Sequence, residues 1–390
     1  MTFDIPAEPA NVCTTALTIN HDLPTMYDSR NRDLADKIIG YSTQTKPGEN
    51  VMIELFGING IHLAQEMARA TLQAGAVPFV MIRDTDTERI IREHGSRELW
   101  SKVRDVTALP LMQQMDVYIG LRAGENIYEL SGVKPDASKA YAEEYQHPVH
   151  MRERVNNTRW CVMRYPSPAF AMNARMPTNR FADFFYRACL LDYADLNERM
   201  KPLHELLAAG KEIHLKGAGT DIRFSIEGQT WIPCAGDLNI PDGEIFSSPL
   251  LTSVNGHISY APTVYDGKPF ESIKLIVKDG VVVDFESSNA KALEEILNTD
   301  EGARRFGEFS FGTNPFIDEP MYDILFDEKI WGSNHLTLGQ AYDIAPNGNQ
   351  SAIHWDLVCI GADVMLDGQL IREGRKFVHE QLLQLNPENF

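Results

Sequence analysis

The sequence predicts an α/β domain wound around a largely parallel sheet, followed by a β-rich domain. Over the first half, short apolar runs alternate with helical patterns, the rhythm of strand–helix–strand units. From about Leu196 the pattern shortens to alternating strands. In that second half Asp279-Gly280 and Asp367-Gly368 separate apolar runs, which is the two-residue chemistry of tight hairpins.

Residues 33–41 have helical spacing, 51–56 read as a strand, and 61–74 form a helix of good helix formers stopped by Gly75. Residues 77–82 are a continuous apolar run, expected to be a buried strand. Between strand and helix, Gly57-Ile58-Asn59-Gly60 reads as a tight turn, because its glycines fall short of a dinucleotide fingerprint. Strands are expected at 117–120 and 160–163, and helices at 137–156 and 178–189. The last long helix spans 196–209, which places the boundary between an N-terminal domain, 1–195, and a C-terminal domain, 196–390. Beyond it lie strands at 212–216 and 221–226, a hairpin at 272–278 and 281–286, a helix at 290–297, and a strand at 364–366 before the second hairpin turn.

The chain has 390 residues, and its 36 Lys and Arg against 55 Asp and Glu give a formal charge of −19, which repels phosphate backbones and anionic lipid. Nucleic acid and membrane partners are therefore excluded. No apolar run approaches the roughly 18 residues of a membrane-spanning helix. The first twenty residues lack Lys and Arg and contain Pro6 and Pro9, so no secretory signal is expected. Cys13, Cys161, Cys189, Cys234 and Cys359 are far apart and form no C-x-x-C pair, which predicts free thiols in a reducing cytoplasm. The G-x-S-x-G elbow and the G-x-x-x-x-G-K-[ST] phosphate loop are absent, and His204-Glu205 meets Ala208 where a zincin helix needs its second His.

The most distinctive acids and imidazoles fall in four blocks of the second half. In the first, Glu244 follows a Pro-x-Gly turn and precedes the apolar pair Ile245-Phe246. In the second, Glu308, Ser310 and Gly312 alternate with Phe309 and Phe311, so on a strand the acid shares a face with Ser310 and something approaches closely at the glycines. The third contains Glu328, His335 and Tyr342; a helix there would stack His335 and Tyr342 two turns apart on one face. In the fourth, strand spacing puts His354 and Asp356 side by side. Two imidazoles with several carboxylates suit zinc, manganese, cobalt or iron. Four carboxylates exceed what one tetrahedral zinc uses, which points to two ions sharing a bridging acid and to hydrolytic chemistry.

At these blocks the sequence resembles the metallo-aminopeptidase family of thermophilic aminopeptidase T and staphylococcal aminopeptidase S, and the agreement extends over nearly the whole chain. The matching blocks are Pro241-Asp242-Gly243-Glu244, Gly307-Glu308 before Thr313-Asn314-Pro315, His335 running on to Leu338-Gly339 and Tyr342, and His354-Trp355-Asp356. The opening segment, Ile39-Gly40-Tyr41-Ser42 through Lys46-Pro47-Gly48, matches as well. The resemblance implies two divalent ions, Zn, Co, Mn or Mg, held by Glu244, Glu308, Glu328, His335, His354 and Asp356. It further implies Tyr342 as a catalytic side chain, short peptides as substrate, and a homodimer with an enclosed cavity; two-metal chemistry makes Glu308 the candidate general base or bridging ligand, with Glu244 as the alternative. Glu328 departs from the pattern, standing seven residues before His335 where some relatives place the acid closer. A rival reading keeps only His335, His354 and Asp356 around one Fe(II), as in a ring-opening dioxygenase of hydroxypyridines. Glu244 and Glu308 in their peptidase contexts favour hydrolysis, since such an iron site has no need of them.

Overall fold

Residues 28–390 are described in a computed structural model. The readings made on Pro6, Pro9 and Cys13 lie outside the described residues. The apolar runs of the first half assemble into a parallel sheet whose strands lie in the order Val77–Arg83, Asn50–Phe56, Val117–Arg122, Arg159–Arg164 and Asn239–Ile240. Its last strand comes from the β-rich half and pairs in parallel with Val162 and Met163. The strand Asn50–Phe56 is buried from Val51 onward because both faces of a wound sheet are covered. Helix Ile61–Gln73 covers one face with Leu63, Ala64, Met67 and Ala70, spaced three to four apart. Gly75, at φ +77°, ends that segment in a conformation that disfavours any side chain.

Two expectations need correction here. The strand at 77–82 exists, as Val77–Arg83, yet it is the open edge of the sheet, with Val77 47%, Val80 41% and Ile82 54% exposed. An apolar run reports a strand's hydrophobicity and says nothing of which sheet position it takes. The helix at 137–156 is helical throughout, but its middle, Ala142–Arg154, winds in wide π turns around Pro148, which lacks the N–H that an α turn needs.

One acid lies inside this sheet. Glu54 is 1% exposed, accepts a hydrogen bond from the Tyr118 hydroxyl at 2.6 Å, and pairs through its other oxygen with Arg83. Arg83 in turn donates to the Tyr145 hydroxyl at 2.9 Å. Burial raises the Glu54 pKa, but Arg83, His150 and Tyr118 outweigh it and hold the carboxyl below its ordinary value.

The second half contains two large antiparallel sheets and a two-stranded one, Thr263–Tyr265 with Lys268–Phe270. The larger has eight strands, and both of its Asp-Gly hairpins form as expected, with Asp279 and Gly280 at φ 51° and 75° and Asp367 and Gly368 at 50° and 82°. Two successive positive φ values give a turn whose twist matches the strands it joins. The smaller sheet runs His354–Trp355, Ser333–Gly339, Phe306–Gly312, Glu244–Ser247 and Ile232–Cys234, with Val358–Ile360 also beside Ser333–Gly339. Every residue of its two central strands is buried. His335 therefore sits on a strand and Tyr342 in the loop that follows, correcting the helical spacing considered for 335–342. A strand buried on both faces loses the polar–apolar alternation that marks it in sequence. Among the described residues, no helix is long and apolar enough to cross a membrane.

Candidate metal centre

Four neighbouring strands of the smaller sheet each bring one group to a common face. Ser310 lies opposite His335 and Glu308 opposite Thr337, so period-two spacing puts all four on one side and turns Phe309, Phe311, Leu336 and Leu338 into the core. A bulge at Gly307 shifts the register just before Glu308 and aims its carboxylate. The close approach expected at the glycines is made by backbone: a Cβ at Gly307 would meet the carbonyl oxygens of Gly339 and Gln340 at 2.4 Å, and one at Gly312 that of Ile330 at 2.1 Å. Glu244 stands beside Gly312 on the next strand and His354 beside Gly339 on the other flank.

The ligating atoms converge. His335 Nε2 lies 2.8 Å from Glu308 Oε1 and 3.5 Å from Glu244 Oε2. His354 Nε2 lies 3.2 Å from Asp356 Oδ1 and 3.5 Å from Glu308 Oε2. Two sets result, Glu244–Glu308–His335 and Glu308–His354–Asp356, each with ligand atoms within 4.8 Å of one another. Glu308 belongs to both. Its Oε2 and the Nδ1 of His335 are buried without a hydrogen-bond partner. A buried acceptor left without a partner costs roughly 1–3 kcal/mol, and a cation at that oxygen removes the cost. The donor set, imidazole and carboxylate without thiolate, fits divalent ions of the zinc, cobalt and manganese kind.

Around this face the electrostatics is extreme. Burial drives Glu308 upward, against the hydrogen bond from His335. Burial alone would lower both imidazoles, but Glu308 and Glu244 raise His335 to about 9, while Asp356 and Glu308 raise His354 to about 10. Asp356 is held well below the carboxylate range, since His354, His335 and the Thr337 hydroxyl, which donates to it at 2.7 Å, outweigh burial. His354 Nδ1 sits 2.8 Å from the Gln340 carbonyl, which fixes that nitrogen as the donor and frees Nε2 for a metal.

Glu328, expected as a ligand, joins neither set. Its carboxylate pairs with Lys329, and burial raises it to about 8. Tyr342 is 46% exposed, with its ring 4.6 Å from that of His354 and 5.7 Å from that of Phe246.

Lys329 was not foreseen. It is 0% exposed, and its ammonium is 2.6 Å from Glu244 Oε1, in contact with Glu328 Oε1, and 3.7 Å from Asp242 Oδ1. In sequence the pair Glu328-Lys329 looks like a solvated surface; the only signal was the need of so many buried acids for a cation. Thr337 and the Gln340 carbonyl, which orient Asp356 and His354, left no local signature either.

A family model, thermophilic metalloprotease (M29), matches residues 27–381. The chain belongs to that family. It is thus a metal-dependent hydrolase. Among its relatives, Aminopeptidase 2 of Geobacillus stearothermophilus is 33% identical over 158 residues, a stretch of 35% of this chain and 38% of that one. Aminopeptidase PepS of Streptococcus thermophilus is 21% identical over 86% of this chain and 92% of its own length. In solved structures, the wild-type AmpT from Thermus thermophilus superposes over 90% of this chain and 99% of its own at a TM-score of 0.77 and 22% identity. The 2,5-dihydroxypyridine dioxygenase from Pseudomonas putida KT2440 reaches 0.60 at 12% identity over 90% of this chain and 98% of its own. At these identities both are similar in fold.

Proposed function

We propose that the chain removes N-terminal residues from short peptides, using a water activated between two divalent ions. Its class, a metallo-aminopeptidase, rests on the M29 family and on relatives that are aminopeptidases along the chain's length. The single observation supporting two ions is Glu308, whose two oxygens face different imidazoles in two sets that share no other residue. A mononuclear iron site on His335, His354 and Asp356 would leave buried Glu244 and Glu308 without a purpose.

Glu244, Glu308 and His335 would hold one ion, and Glu308, His354 and Asp356 the other. When bound, such ions supply a water acidified toward pKa ~7 and a positive charge that polarises the scissile carbonyl. The rest falls to the chain. Taking the water's proton falls to a carboxylate of this face, Glu308 through an oxygen not on an ion, with Glu244 as the alternative. Tyr342, exposed beside His354, can donate its hydroxyl proton in a hydrogen bond to the oxyanion that develops on the carbonyl. The acids of the face attract the ammonium of a free N-terminus, which selects for exopeptidase action. The same reading takes the enzyme to be a cytoplasmic homodimer, to be checked by sedimentation.

The test is metal content per chain on purified protein together with release of leucine from Leu-peptides, before and after chelation and restoration with cobalt or zinc. Two ions and chelator-sensitive release support the proposal. One iron, no peptide hydrolysis, and oxygen uptake with a hydroxylated heteroaromatic would replace it.

A further inference from the structure

The two ligand sets differ in how they are prepared for a cation. In the set Glu308–His354–Asp356, every group is oriented and one oxygen is waiting. His354 Nδ1 is tied to the Gln340 carbonyl, Asp356 accepts from Thr337, and Glu308 Oε2 is buried with no partner. In the set Glu244–Glu308–His335, the carboxylate of Glu244 is already engaged at both oxygens. Oε1 is taken by the Lys329 ammonium at 2.6 Å and Oε2 by the Ser310 hydroxyl at 3.0 Å. His335 meets Glu308 through Nε2, but its Nδ1 has no partner, so no hydrogen bond holds this ring from the far side as the Gln340 carbonyl holds His354. Lys329 is fully enclosed and bonded to acids from two segments of chain, so it cannot swing away when an ion arrives.

We propose that Lys329 is a positioning residue that makes the two ion positions unequal: a tight one at Glu308–His354–Asp356 and a loose, exchangeable one at Glu244–Glu308–His335. The inference rests on the two-ion reading above. A fixed ammonium touching Glu244 both draws electron density from a ligand of the second position and repels the incoming dication through a water-poor interior. It also occupies Glu244 Oε1, leaving Oε2, which accepts only from the Ser310 hydroxyl, as the one oxygen of that group able to meet an ion. The first position has no such neighbour among the described residues. Metal therefore enters in sequence, and the number of ions per chain depends on free metal concentration over a range set by Lys329.

The experiment titrates the chelated, full-length protein with Co(II), following heat and visible absorption, in the unaltered chain and in Lys329→Met. In the unaltered chain we expect two ions in two classes separated by at least about tenfold in affinity, the first to bind being the one abolished by Asp356→Asn. In Lys329→Met the weaker class tightens by about tenfold or more while the stronger moves by less than about threefold, and the absorption of the second cobalt changes in shape. Two equal classes in the unaltered chain, or a weaker class left unchanged or weakened by Lys329→Met, overturn the inference while leaving two ions in place. A single ion at saturation overturns the two-ion reading beneath it. If Lys329→Met fails to fold, the separation of classes and the Asp356→Asn assignment in otherwise intact protein still decide.

Discussion

Two sheets of this molecule bury charge, and they do it to opposite ends. In the parallel sheet, Glu54 is sealed under helices with a hydroxyl on one oxygen and a guanidinium on the other, and Arg83 reaches on to Tyr145. Neither of its oxygens is left over. In the smaller antiparallel sheet, Glu308 is also buried, at 4% exposed, and one of its oxygens has no hydrogen-bond partner. A satisfied buried acid is structural, whereas an unsatisfied one among imidazoles has the chemistry of a cation ligand. Burial and charge are alike in the two places; what separates structure from function is whether the hydrogen bonds close.

The contrast can be broken most forcefully at Asp356 and His354. Their replacement by Ala should lower kcat/KM by about a thousandfold or more, with loss of metal and little change in the fold. Full activity in Asp356→Ala would sink the site assignment. Glu54→Ala should do the reverse. Removing Glu54 takes the acceptor from the buried Tyr118 hydroxyl and one partner from Arg83, whose side chain is 36% exposed and can turn to water, so about 1–3 kcal/mol is expected, read as a fall in the denaturant midpoint, while metal per folded chain stays the same. Altered metal content in that variant would mean that the two clusters are not independent.

Acidity offers a finer test. In metal-free protein the imidazoles of His335 and His354 are raised to about 9 and about 10, so both are protonated at pH 7. An ion must displace those protons, and its affinity should climb by up to about tenfold per pH unit for each proton released, levelling off above pH 10. Stability of the metal-free form follows the same groups. Their contribution is complete below pH 6.5, the ordinary imidazole value, and is lost as pH rises through 9 to 10. A metal affinity flat between pH 7 and 9 would refute this. The smallest effect is expected at Tyr342, where Tyr342→Phe should reduce kcat about 10- to 100-fold with metal and stability unchanged.

The fold was largely legible because its signals are local. The helix spacing ending at Gly75 and the Asp-Gly turns each name an element within a dozen residues. Depth was not legible at Val77–Arg83, because the same apolar run serves a central or an edge strand. The type of element was ambiguous at Ser333–Gly339, where burial on both faces erases alternation. At the candidate site, the closeness of His354 and Asp356 was legible in their spacing, whereas Lys329 acts on Glu244, 85 positions away, and Thr337 on Asp356, 19 positions away. A sequence shows which groups can do chemistry; the fold decides which of them are already occupied.

The short strand Asn239–Ile240 closes the flank of the parallel sheet, five residues or fewer before Glu244 in the chain. Anyone dividing the gene near codon 195 would thus take from the first fragment the last strand of its own sheet, and from the second the anchor that holds the approach to its first acid. The two halves are better treated as one unit of expression, and a break meant to separate them would expose the flank of Arg159–Arg164 to self-association in the tube.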